Sequence, residues 1–351
     1  MQNEKSARIV ANWLFLGVAM LIIQVLLGGI TRLTGSGLSI TEWDPVMGAF
    51  PPVNDQQWQE AFFQYQHIAQ YKYLNNHFTL ADFKFIFFWE WFHRLWARLI
   101  GMVFLVPFIY FIIKKYFKRW MIIPLILLFV LGALQGLIGW IMVKSGLNDE
   151  DIYVSHFKLA VHFMAAMILI GYTLIFGLAV AVPKEQRVYN HGLRKQAWII
   201  FILVVLQLIY GAFLAGLKAA NAAPTWPDMN TQIIPGGMFA NGFIQGVLRN
   251  PITIQFIHRT LAYIIFILIV IWSFKAKKET FSSPFSKIRK WPLILVLLQL
   301  LLGIMAVLSS TKIVLGKFGI FEWFAILHQF TGMLLLFSLL VILHILKPYT
   351  K

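Results

Sequence analysis

Four histidines stand at matched places in a chain that is otherwise strongly apolar: His93, His162, His258 and His328. His93 and His162 are 69 residues apart, His258 and His328 are 70 apart, and the second pair follows the first by about 165 residues. The local strings agree too, with "HRLWA" at 93–97 and "HRTLA" at 258–262. One intramembrane histidine can be a packed, hydrogen-bonded residue. Four in two matched pairs point to a shared task, because an ionisable side chain inside a membrane helix is costly and normally functional. For imidazole that task is metal ligation or proton transfer. Around the first histidine, "FFWEWFHRLWARLIG" at 87–101 adds Glu90, Arg94 and Arg98.

The elements that must position these groups are apolar runs. The chain has 351 residues, 59% hydrophobic, 16% aromatic and only 13% charged. A bilayer about 30 Å thick needs roughly 20 apolar residues per spanning helix, and eight such runs are present: 9–31, 85–113, 119–143, 156–182, 197–217, 252–274, 292–310 and 322–346. The first is too long for a signal-peptide core and lacks a small-residue cleavage pattern. The net charge of +16 does not imply nucleic acid. Lys and Arg concentrate between spans two and three, four and five, and six and seven, while most acids, Asp44 among them, lie in the opposite connections. By the positive-inside rule both termini face the cytoplasm, and the long loops 32–84 and 218–251 face outside. The chain contains no cysteine, which excludes disulfides, thiolate metal sites and covalently attached haem.

A repeat accompanies the histidines. Every odd-numbered span carries a glutamine four residues before a glycine: Gln24 and Gly28, Gln135 and Gly139, Gln207 and Gly211, Gln299 and Gly303. The simpler reading of this motif is helix packing, with small residues permitting close approach and an amide bridging helices. The expected architecture is an all-α membrane protein of eight transmembrane helices forming two pseudo-symmetric four-helix bundles, residues 1–190 and 191–351. At 1.5 Å per residue the four histidines sit about 9–13 Å below the outer surface, on spans running in the same direction. Two imidazoles facing each other at one level suit the axial positions of a haem iron. Zinc would require three or four clustered ligands. Two haem sites, one per half, follow.

The halves differ at one position. Aligning His93 on His258 sets Glu90 against Gln255, so only the first half has a carboxylate one turn from its iron ligand. A carboxylate there can act as a base or steer a substrate group, which places the reactive site in the first half and a non-reacting haem in the second. Arg94, Arg98 and Arg259 either meet haem propionates or close intramembrane ion pairs. His67, His77, His191 and His344 read as surface or interfacial residues. His156, six residues before His162, is a weaker candidate for touching the edge of a ligand.

The chain resembles haem A synthases. The matching strings are "GGITRLTGSGLSITEWDPVMGAFPP" at 28–52, "EWFHR" at 90–94, "LQGLIGWIMVKSGL" at 134–147, "HFKLAVHF" at 156–163, "TWPDMN" at 225–230, "QFIHRTLAY" at 255–263 and "LHQ" at 327–329. The resemblance implies an eight-helix inner-membrane oxidoreductase that converts a ring methyl of haem O to a formyl group, giving haem A for cytochrome oxidase. It implies His93 and His162 as ligands of the substrate haem, His258 and His328 as ligands of a haem b cofactor, and Glu90 as the catalytic acid position. The implied partners are haem O synthase, cytochrome oxidase assembly factors, an electron donor and membrane lipid. Some members carry outer-loop cysteine pairs; their absence here rules out thiol-based electron delivery, and the long first loop with "ITEWDPVMGAFPPV" is similar to the proteobacterial and mitochondrial branch. The "TWPDMN" string is similar to, not identical with, the usual form, which weakens any role for Trp226.

Two rival readings use the same residues. A di-haem b, quinol-oxidising electron-transfer subunit would place haems near both membrane faces. A transporter would place its site at the midplane.

Overall fold

The computed structural model describes residues 2–42, 47–279, 283–313 and 318–347. Asp44 and the 43–46 part of the motif at 28–52 lie outside the described residues. Among the described residues eight helices are long and apolar enough to cross a membrane: α1 (Gln2–Leu33), α2 (Leu80–Ile113), α3 (Ile122–Lys144), α4 (His156–Ala181), α5 (His191–Gly216), α6 (Pro251–Lys277), α7 (Trp291–Ser309) and α8 (Ile320–Ile345). The described residues contain no β-strand, only an isolated bridge between Met229 and Gln232.

Several helices begin before their apolar runs do, and the caps explain why. Thr79 and Asp82 form a reciprocal capping box ahead of α2. The Asn190 side chain accepts the Leu193 backbone N–H at 2.9 Å ahead of α5. Asn250 does the same for Ile252 at 2.9 Å, with Pro251 in the first turn of α6. Hydropathy marks only the part of a helix that meets hydrocarbon; a capped polar turn extends it into the interface.

The first four helices and the last four each pack among themselves. In the first set α1 packs on α2 and α4, and α3 packs on α4; in the second α5 packs on α6 and α8, α7 on α8, and α6 on α7. The sets join where α4 meets α5 and α8, and where α1 meets α8. The main core is centred on α8, whose Met333, Leu336, Leu339 and Ile342 meet Ile170 of α4, Ile200 of α5 and Ile269 of α6. Without a hydrophobic driving force in lipid, such seams depend on close packing and on polar contacts.

One edge has no counterpart. α2 and α3 touch toward their inner ends, where Phe129 meets Phe104 and Phe108 at ring-centroid distances of 4.6 and 4.9 Å. Outward of those rings they part. The residues facing the gap are Ala97 and Gly101 on α2 and Gly132, Ala133 and Gly136 on α3, all exposed. Nothing lies within 4 Å of where a β-carbon would stand at Gly101, Gly132 or Gly136. The repeat puts Phe266, Val296 and Leu300 at the places of those three glycines, and there α6 and α7 close on each other.

The long loops form caps at the end of the molecule opposite the short, basic ones. The first cap includes a helix at Asp55–Gln66 and holds together through Phe62, Tyr65, Phe83 and Phe87. Buried Tyr65 accepts a hydrogen bond from Asn75 at 2.7 Å and donates one to Gln70 at 3.0 Å. An exposed ion pair, Lys72 with Asp149 at 2.7 Å, ties this loop to the turn before α4.

Candidate functional site

A cavity of about 1260 Å³ runs through the bundle, reaching inward as far as Trp13 and Leu128, and His93, His162, His258 and His328 line it together. One small-molecule site occupies about 300–1,000 Å³, so this space suits more than one ligand, or one very large one. The rings of His258 and His328 lie with centroids 6.3 Å apart and their planes inclined at 68°. Two metal–nitrogen bonds of about 2 Å plus the half-width of each ring account for that separation. His93 and His162 line the same cavity from α2 and α4 and are close enough to interact electrostatically.

The Gln-x-x-x-Gly repeat builds a cradle for each ring, so packing alone is too small a role for it. A β-carbon added at Gly28 would stand 3.1 Å from Cε1 of His93, at Gly139 2.8 Å from that of His162, at Gly211 3.2 Å from that of His258, and at Gly303 2.9 Å from that of His328. Four residues away the glutamine contacts the same histidine. The Gln24 amide nitrogen lies 3.3 Å from His93 Nδ1, and that of Gln135 3.3 Å from His162 Nδ1. Gln207 donates to the His258 carbonyl at 3.0 Å, and the Gln299 amide nitrogen lies 3.2 Å from His328 Nε2. In each helix pair glycine admits the ring, and glutamine contacts the ring in three pairs and the histidine's backbone carbonyl in the Gln207–His258 pair.

The donor set fits a haem better than a bare ion. Among the described residues no cluster of three or more His, Asp or Glu could hold a metal, whereas axial haem ligation needs two imidazoles. His258 Nδ1 is buried with no hydrogen-bond partner, and so are the side-chain carbonyl oxygens of all four cradle glutamines. Orphaned buried polar atoms are rare and call for an explanation; a bound polar group is one.

Glu90 is almost fully buried and lines the cavity. Its Oε2 accepts from the backbone N–H groups of Ser39 and Ile40 at 2.7 and 2.9 Å and from the Ser39 hydroxyl at 2.8 Å. Its Oε1 accepts from Arg94 at 2.7 Å. Arg94 also donates to the carbonyls of Ile40 and Glu42, both at 3.1 Å. The equivalent residues of the second set do the same without the charge. Gln255 donates to the carbonyl of Ala223 at 3.1 Å, and Arg259 to those of Ala223, Thr225 and Asp228 at 2.6, 2.9 and 2.9 Å. Both arginines therefore clasp the outer loop of their own set. Arg98 lines the cavity. His156 does not; its Nε2 lies 3.1 Å from the Leu248 carbonyl and its ring packs on Phe157 and Phe213.

Two lining groups escaped the sequence reading. Arg32 and Lys218 open onto the cavity at the junction of the two sets, and no spacing rule brings residues so far apart in sequence together.

Comparison with known proteins places the chain in a family. The chain is 40% identical to the heme A synthase of Flavobacterium psychrophilum over 98% of its own length and 99% of that protein's. It is 38% identical to that of Flavobacterium johnsoniae over 97% of the chain and 98% of the relative, and 41% identical to that of Parvibaculum lavamentivorans over 89% and 92%. Residues 11–340 match the family described as cytochrome oxidase assembly protein, and the chain belongs to that family.

Proposed function

We propose that this protein oxidises a methyl group of haem O to a formyl group, giving haem A, with the substrate held between His93 and His162 and a haem b held between His258 and His328. The two four-helix sets, 1–190 and 191–351, then divide the work between a reacting and a retaining site. One observation carries the assignment: the two histidine pairs share a cavity, yet only the first is open to the side, between α2 and α3. A substrate must enter and its product must leave, and haem O bears a long isoprenoid chain that suits an apolar gap. A cofactor must stay, and Phe266, Val296 and Leu300 fill the corresponding gap around the second pair.

When bound, the second haem supplies one-electron redox chemistry. The chain's own contribution is placement and proton handling. His93 and His162 orient the substrate ring, and the cradle glycines fix the imidazole positions. Glu90 is the one carboxylate one turn from a histidine of the first pair. A group so placed moves protons to or from the substrate edge, a role worth about 10²–10⁴-fold in rate, while Arg94 and the amides of residues 39 and 40 hold it in place.

The charge distribution supports a multi-pass protein of the bacterial inner membrane with both termini in the cytoplasm, so that the histidines lie near the periplasmic face. That placement favours an enzyme over a subunit carrying electrons across the bilayer. Working with haem O implies a haem O synthase upstream, cytochrome oxidase assembly factors downstream and an electron donor. The test is expression in cells that make haem O, followed by pigment extraction. Haem A in the extract supports the reading; haem O and haem b alone would sink it.

A further inference from the structure

At the junction of the two sets the cavity is lined by two cations, Arg32 and Lys218, against a single nearby acid, Glu322. Arg32, in the last turn of α1, lies one turn beyond Gly28, the glycine that cradles His93. Its Nη1 donates across the junction to the carbonyl of Ala215 at 3.3 Å, and Ala215 lies one turn beyond Gly211, the cradle of His258. Lys218 follows just after α5, with its ammonium 3.8 Å from the centre of the ring of Tyr153, in the loop before α4. Both side chains line the cavity. Neither forms an ion pair among the described residues. The acid nearest in effect is Glu322 of α8, which interacts with Arg32 electrostatically but gives its Oε2 to the Gly319 N–H at 2.8 Å. Lys218 also adopts a left-handed backbone, φ 51°, uncommon for a residue with a β-carbon.

Two like charges beside each other in a poorly solvated space are unfavourable unless something negative joins them. Burial, and secondarily Arg32, bring the Lys218 ammonium down to a pKa of about 8, as expected for a cation waiting for a counterion. Arg94 and Arg259 are already committed to loop carbonyls. The geometry points to Arg32 and Lys218 as a carboxylate-binding cradle at the junction of the two sets, shared by propionates of porphyrins bound at the His93–His162 and His258–His328 pairs. This rests on the haem reading given above. Arg32 and Lys218 would hold the carboxylate edge of a porphyrin bound at either pair, and so would limit how that ring can turn within the pocket.

The test uses the full-length protein in lipid nanodiscs, stripped of pigment and titrated with iron protoporphyrin IX and separately with its dimethyl ester, which lacks the carboxylates. The readout is the absorbance of the bis-imidazole complex. With Arg32→Ala combined with Lys218→Ala, the diacid should bind about 10- to 100-fold more weakly at both equivalents, the scale of charge-assisted hydrogen bonds. The ester should bind variant and parent alike, which also shows that the variant is folded. Lys218→Arg should retain diacid affinity. Equal weakening of diacid and ester, or no weakening of either, would overturn the cradle; weakening at one equivalent alone would overturn its shared placement. If the parent protein forms a bis-imidazole spectrum with neither pigment, the haem reading itself fails, and the cradle with it.

Discussion

Gly139 sits so close to His162 that a single added methyl group would stand 2.8 Å from the ring's Cε1 carbon. Real side chains do not tolerate that distance, so the ring must move if the glycine is replaced. The same holds for Gly303 and His328 at 2.9 Å.

Glycine-to-alanine substitutions should therefore separate the two sites. Gly303→Ala should cut the retained b-type absorbance at least severalfold, with an overpacking penalty of about 1–3 kcal/mol. Gly139→Ala should leave that absorbance and abolish haem A formation. Gly132→Ala, where the new carbon meets nothing within 4 Å, should do neither. Pigment extraction and difference spectra on the three variants decide the matter.

Glu90→Gln keeps an acceptor for the Ser39 and Ile40 amides while removing the charge and the proton-carrying group. Haem A formation should fall about 100-fold or more with the b-type spectrum intact. Glu90→Ala should also lose thermal stability, because Arg94 and two backbone amides lose their shared partner; breaking a buried pair costs about 3–5 kcal/mol. Normal turnover by Glu90→Gln would refute the proton-handling role.

Filling the lateral gap with its counterparts from the other set should block the substrate alone. Gly101→Phe with Gly136→Leu is expected to stop haem A formation without altering the retained haem. Phe266→Gly with Leu300→Gly should let that haem exchange with added iron protoporphyrin, measured by uptake of a zinc- or isotope-labelled analogue.

Lys218 gives the haem-free protein a pH signature. Its folded pKa lies near 8, below an unfolded value of about 10.4, so between those values the unfolded chain binds the extra proton. Stability then rises with pH through that window. The thermal midpoint of haem-free protein should climb from pH 8 to 10, and Lys218→Met should flatten the climb.

What the sequence revealed and what it hid divide along physical lines. The eight helices were legible because lipid demands unbroken apolar length, and the histidine pairs because ionisable groups stand out against it. The Gln-x-x-x-Gly repeat was visible but understood only as packing, since its partner, the ring on the next helix, is a tertiary contact. Arg94 and Arg259 follow haem-ligand candidates in sequence. One residue along a helix is about 100° around it, so they aim at loop carbonyls of residues 40–42 and 223–228. The pairing of Arg32 with the end of α5 needs the junction of both sets, and no local pattern encodes it.

The parted outer ends of α2 and α3 bear on how the protein behaves once removed from its membrane. Detergent tails are apolar chains of the same width as an isoprenoid, and in a micelle they will crowd that cleft. On the proposed reading, turnover should decline as detergent is raised and recover on reconstitution, while a haem held behind Phe266 and Leu300 should be indifferent to both.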